Sequence, residues 1–127
     1  ILTSNLYGDI LSDMAAAWGG GLGLAPALNL GDDAAIAEPV HGSAPDIAGK
    51  HTANPTAMIL SVALLLRHFW QRDDLAQRIE AAVRQTIENG KYTSDIYLND
   101  ALSTEHYTEQ VIETLERLKS EATKTGL

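Results

Sequence analysis

The sequence contains no cysteine, so neither a disulfide framework nor a thiolate metal site is open to it. Positive charge is scarce: nine Lys and Arg stand against 17 Asp and Glu, a net charge of −8. No basic cluster interrupts that balance, which argues against nucleic acid as a partner. Long apolar runs are missing too. The longest, Ala57 to Leu66, is broken by Ser61 and is about half of what a bilayer span needs, so no membrane segment is expected. No signal peptide is visible, and a cytoplasmic setting is expected. The glycine-rich run "GGGLGLAP" also lacks the nucleotide-loop fingerprint. No frame gives G-x-G-x-x-G, since the sixth position from Gly21 is Pro26, and no lysine follows for a P-loop. The run reads instead as a tight turn where backbones approach closely.

What is present suffices for one compact domain: 127 residues, 45% of them hydrophobic. The chain opens on Ile1 and Leu2, and "ILTSNLYGD" reads as the end of a strand already under way, as in a piece of a longer protein. "GDILSDMAAAW" predicts a helix from Gly8 or Asp9, with both carboxylates near its beginning, where the helix dipole favours them. It should stop at Gly19 to Gly21. "LGLAPALNLGDD" reads as an irregular or short extended passage, and "AAIAEPV" as one buried strand. Asn54 and Pro55 suit the N-cap and first turn of a helix over 55–69 that is apolar on nearly every side, and so expected deep inside a larger body. A third helix is predicted from Asp74 to Asn89, ended by Gly90, with Leu75, Ile79, Val83 and Ile87 on one stripe. The last helix begins near Thr104 and buries Tyr107, Val111, Leu115 and Leu118; the polar tail after Ser120 is expected to fray.

Two places carry chemistry. Asp9 and Asp13 are four apart, which puts two carboxylates on one helical face with Cβ atoms roughly 6 Å apart. Such a pair suits a hard divalent cation, Mg²⁺ or Mn²⁺. It equally suits a helix cap at Asp9 beside a solvated Asp13. The second place is "EPVHGSAPDIAGKHTANP", residues 38 to 55, a stiff polar loop set directly against the most apolar helix. His41 to Asp46 offer an imidazole, a hydroxyl from Ser43, a carboxylate and backbone N–H groups, which are the parts needed to hold a sugar and a diphosphate. An ordered loop whose His and Asp cap neighbouring helices is the other reading.

"NLYGDILSD" followed at this separation by "EPVHGSAPDIAGKHTANP" resembles the decarboxylating β-hydroxyacid dehydrogenases, which act on isocitrate, homoisocitrate, 3-isopropylmalate or tartrate. The resemblance runs through "TSDI" and the final helix, essentially the whole chain, yet matches only the C-terminal part of such an enzyme. It implies an α/β fold that is not Rossmann, with this portion mostly helical and its strands short. Residues 1–20 would end the smaller, metal-bearing domain, and 21–127 would be the C-terminal part of the larger, cofactor-binding one. By the same resemblance, Asp9 and Asp13 are expected to ligate Mg²⁺ or Mn²⁺. His41, Gly42, Ser43, Ala44, Pro45, Asp46 and Ile47 are expected to bind the adenosine half of NAD. Asn54 would contact adenine, and Glu38 would lie near the nicotinamide end. NADP-using relatives carry Lys-Tyr where this chain has Asp46-Ile47, and Tyr and Arg where it has Ser94 and Leu98, so NAD is implied. Metal-assisted oxidation and decarboxylation would follow, with the catalytic Tyr and Lys and the substrate-gripping arginines upstream of this sequence. A homodimer with a shared active site is implied. Wording such as "GGGLGLAPALNLGDD" resembles homoisocitrate or NAD-isocitrate enzymes more than isopropylmalate ones. The chain departs from the family at Ala37, usually Phe or Tyr, and at His51-Thr52, commonly Gly-Ile. The competing expectation is a noncatalytic family subunit that binds nucleotide without turnover.

Overall fold

The computed structural model describes residues 1–125 of the chain. Its elements run α1 (Asn5–Trp18), a 3-10 helix (Leu22–Leu24), β1 (Pro26–Leu30), β2 (Ala35–Pro39), α2 (Thr56–His68), α3 (Asp73–Glu88) and α4 (Thr104–Thr125). As expected, helices dominate and strands are short.

The predicted opening strand is absent. Ser4 is extended (φ −71, ψ 158), and its carbonyl accepts the Gly8 N–H at 2.9 Å, so α1 begins at Asn5. The glycine that suggested a helix start lies inside the first turns instead. A Cβ on Gly8 would sit 2.9 Å from Thr3 Oγ1, an exposed side-chain atom that can turn away. The earlier start removes Asp9 and Asp13 from the first turn, which holds no acidic residue, so the dipole expectation and the capping role for Asp9 both fall. The helix does stop at the glycines, with Gly20 and Gly21 at φ 103 and 110.

β1 and β2 form an antiparallel hairpin, with Pro26 opposite Pro39, Leu28 opposite Ala37 and Leu30 opposite Ala35. The expected buried strand is therefore a hairpin arm with one covered face: Ala35, Ala37 and Pro39 are half-buried while Ile36 and Glu38 are exposed. Two strands alone are marginal in water, and this pair is completed by packing on α2. Ser61, fully buried on α2, fastens it. Its hydroxyl lies 2.8 Å from the carbonyls of both Ala57 and Glu38, and accepts the Ala27 N–H at 3.3 Å.

Helix α2 sits at the centre, with the hairpin on one side and α3 on the other, and α3 in turn packs on α4. Its buried residues are the small ones, Thr56, Ala57, Ser61 and Ala63, because close packing on two sides admits little bulk. Met58 and Val62 are exposed within this chain, whereas the sequence expectation was burial inside a larger body. The core groups Ala82, Val83, Tyr107 and Val111, with Ile59, Leu60, Ile87, Leu102, Leu115 and Leu118 against them. Arg67 pins α2 to α3, donating to Asp73 (2.6 Å) and bidentately to Glu80 (2.6 and 2.9 Å). Gly90, at φ 74, ends α3 as anticipated. Helix α4 continues past Ser120 to Thr125, further than the expected fraying point; the last two residues of that tail lie outside the described residues.

Helix α1 differs from the rest. It packs against the 3-10 turn, and Leu6, Tyr7, Ile10, Leu11, Met14 and Trp18 are all exposed, Trp18 at 87%. Among the described residues no helix is long and apolar enough to cross a membrane.

Candidate functional site

The loop between β2 and α2 is built from successive turns. Val40 N–H still bonds to Ala25 O (3.1 Å), extending the hairpin, and the chain then folds back on itself. Ile47 N–H reaches Ala44 O at 3.1 Å and Lys50 N–H reaches Ile47 O at 3.1 Å. Ala44 and His51 adopt left-handed backbone conformations (φ 43 and 56), as does Gly49 (φ 74). For Ala and His that region is uncommon. For His51 it is held by contacts at the loop's far end.

Those contacts come from α4 and the segment before it. Thr104 N–H donates to His51 O (2.9 Å), and Thr104 Oγ1 donates to Ala53 O (2.6 Å). The His51 ring, through Nδ1, bonds Glu105 Oε1. That bond is the leading reason the Glu105 carboxyl is held below the usual carboxylate range. Ser103 caps α4, its Oγ accepting the His106 N–H at 3.2 Å. Asn54, buried at the loop's end, caps α2 by accepting the Thr56 N–H on Oδ1 (2.9 Å), as its sequence position predicted. Its Nδ2 donates to Asp95 Oδ2 at 3.0 Å, and Thr93 Oγ1 donates to Asp95 Oδ1 at 2.6 Å. Below this, Thr56 Oγ1 donates to the hydroxyl of fully buried Tyr107 at 2.8 Å. Burial pushes that phenol above its ordinary value.

Between loop and helices lies a cleft of about 810 Å³, within the range that takes a cofactor-sized ligand. His41, Gly42, Ser43, Ala44, Ile47 and Asn54 line it, as the sequence reading grouped them. Pro45 and Asp46 are exposed on the same loop but do not line it, and neither does Glu38, whose carboxylate accepts from Asn29 Nδ2 at 2.8 Å on the outer face of the hairpin. Ser94 lines the cleft; Leu98, 81% exposed, does not. Sequence reasoning missed Gly23, Asp95, Thr104 and Glu105, all of which line it. Gly23 was within reach, since the glycine run had been read as a close approach. A Cβ there would lie 2.6 Å from Asp95 Oδ2 and 3.3 Å from Asn54 Cβ. The other three come from a distant segment, and nothing in the loop's own sequence pointed to them.

Asp9 and Asp13 are exposed on α1, one turn apart in a continuous helix. They supply two hard oxygen donors, suited to Mg²⁺ or Mn²⁺. Among the described residues no group of three His, Cys, Asp or Glu side chains could hold a metal ion, so the pair is at most part of a ligand set.

Residues 1–111 match the family described as isocitrate/isopropylmalate dehydrogenase. The chain is 54% identical over 118 residues to an isocitrate/homoisocitrate dehydrogenase of Thermus thermophilus, covering 93% of the chain and 34% of that relative. It is 46% identical over 119 residues to an isocitrate dehydrogenase [NADP] of Rickettsia bellii, covering 91% and 24% respectively. The structure aligns with the crystal structure of isocitrate dehydrogenase from Methylococcus capsulatus at a TM-score of 0.83 and 51% identity, over 87% of this chain and 33% of that one. The chain thus spans about a third or less of the length of these relatives.

Proposed function

The chain belongs to the isocitrate/isopropylmalate dehydrogenase family, and from that premise we propose that the full-length protein oxidatively decarboxylates a 2-hydroxy acid of the malate type, using NAD and Mg²⁺ or Mn²⁺. The substrate is homoisocitrate or isocitrate in preference to 3-isopropylmalate, with tartrate last. The carrying observation is the cleft: a turn-built loop, tied down at its far end, walls a cofactor-sized space that no lysine or arginine of the described residues lines. A 2′-phosphate finds no Lys or Arg there, only His41 and His51, which supports NAD over NADP. The substrate order follows the wording of the glycine-rich passage and the final helix; relatives named for isocitrate/homoisocitrate and for 3-isopropylmalate match at similar identity.

Each residue then has a task. His41 to Ala44 and Ile47 receive the adenosine half, with Asn54, already fixed by Asp95 and Thr56, at the adenine. Asp46, exposed beside Ile47, offers a carboxylate toward ribose hydroxyls. Glu38, matched by resemblance to a position near the nicotinamide end, lies outside the cleft within this chain, and bound dinucleotide would supply the hydride acceptor. Asp9 and Asp13 give two oxygen ligands, and a divalent cation held by them with further donors would polarise the substrate hydroxyl and the developing enolate oxygen. On this reading residues 1–20 belong to the metal-bearing smaller domain and 21–127 to the cofactor-binding one. The apolar residues exposed on α1 call for cover, which on this reading comes from the rest of the full-length protein; a homodimer with a shared active site is proposed from the family resemblance alone.

The test is NADH formation by the full-length protein with NAD⁺, Mg²⁺ or Mn²⁺ and each of the four acids in turn. Metal-dependent turnover with one of them carries the proposal. NAD binding without turnover on any would instead favour a noncatalytic family subunit.

A further inference from the structure

Four consecutive residues, His51, Thr52, Ala53 and Asn54, line the cleft, and so does Thr104. Thr104 is bonded to the main chain of two of them. Its N–H donates to His51 O at 2.9 Å and its Oγ1 to Ala53 O at 2.6 Å. Those two carbonyls bracket Thr52 and lead directly into Asn54, whose side chain is fixed separately by Asp95 and Thr56. The stretch that supplies both Asp95 and Thr104 is itself closed, since the Leu102 N–H donates to Tyr92 O at 2.9 Å. A histidine at φ 56 persists only where its surroundings over-determine it. Thr104 supplies two of the bonds that do so, and the His51 ring, bonded to Glu105, supplies a third.

We infer that Thr104 is a positioning residue for the adenine end of the cofactor cleft, holding the backbone at His51 and Ala53 so that Asn54 meets the base in one fixed place. The inference rests on the reading of this cleft as the adenosine site. It asks for no ligand contact from α4, because Thr104 acts through the two carbonyls and the chain path they fix. Glu105 adds a weaker tie of the same kind, since its side chain and that of His51 are both more than half exposed.

The experiment measures Kd for NAD⁺ and for AMP, the adenosine half alone, with the full-length protein and its Thr104→Val, Thr104→Ser and Glu105→Ala variants. Thr104→Val keeps the shape and the N–H but loses the hydroxyl donor. It should raise both Kd values about threefold to tenfold, the loss of one hydrogen bond. Thr104→Ser should restore both, and Glu105→Ala should raise them about twofold. KM for the hydroxy acid should stay unchanged, and amide exchange over residues 47–53 should quicken in ligand-free Thr104→Val. Unchanged Kd values in Thr104→Val and Glu105→Ala would overturn the inference. So would a rise in Thr104→Val that serine does not reverse. If Thr104→Val does not fold, Glu105→Ala gives the answer alone. Two cleft-filling variants, Gly42→Trp and Ser94→Trp, check the premise separately. If they abolish AMP binding while Thr104→Val leaves it unchanged, the inference is wrong and the cleft assignment stands. If both leave AMP binding intact, the cleft assignment itself falls and takes the inference with it.

Discussion

Asn54 Nδ2 meets Asp95 Oδ2 at 3.0 Å, so one buried amide joins the loop before α2 to the segment before α4 while its other end caps α2. Asn54→Ala removes the cap and leaves Asp95 without that donor, and should cost about 1–3 kcal/mol in urea unfolding. Asn54→Asp keeps the cap acceptor but sets two carboxylates face to face. It should be comparably destabilised at neutral pH and recover as the pH is lowered.

Gly23 touches the same junction. Its missing Cβ leaves room for an Asp95 carboxylate that cannot easily swing away, because Thr93 and Asn54 each hold one oxygen. Gly23→Ala should destabilise by about 1–3 kcal/mol through overpacking. The double variant with Asp95→Ala should cost less than the two single costs added together, a non-additivity that a double-mutant cycle measures.

Tyr107 provides a test by alkali. Its phenol is raised above the model-peptide value of 10.0 mainly by burial, so the folded state keeps a proton that the unfolded chain releases. The sign follows: this contribution is complete below about pH 10 and is lost as pH climbs through the folded value. Tyr107→Phe should remove that part of the alkaline loss. At neutral pH it should cost about 1–2 kcal/mol, since Thr56 Oγ1 loses its buried acceptor.

Asp13→Asn in the full-length protein should lower metal-dependent NADH formation by more than about a hundredfold, more than is typical for residues that only support a metal ligand. NAD⁺ binding should persist. Loss of both together would place the fault in folding, which circular dichroism would reveal.

Asp46→Lys with Ile47→Tyr should weaken NAD use, read as KM for NAD⁺. Ile47 lines the cleft and Asp46 does not, so Ile47→Tyr alone should carry the larger share. Unchanged kinetics with NAD⁺ would refute the loop assignment.

Local chemistry was legible in the sequence and long-range assembly was not. Gly90 and Asn54 act within a few residues of themselves, so their roles as stop and cap could be read directly. The loop's grouping of His41 to Ala44 with Ile47 followed from contiguity in the same way. The second wall of the cleft did not, because Asp95 and Glu105 reach it only once α4 packs on α3 and α3 on α2. The helix start at Asn5 was hidden by Gly8, which lies inside the helix and not at its boundary. Helix α2 looked deeply buried because its apolar residues ring it; packing on two sides selected its smallest ones for the interior.

The ties from Thr104 and Glu105 to the loop have a consequence for synthesis. A nascent chain paused before Ser103 would carry every residue of the loop and yet lack the groups that hold His51 and Ala53 in place. The cleft is therefore completed late, when α4 docks. Cofactor added to a translating ribosome should protect the loop from proteolysis only after that helix has cleared the exit tunnel.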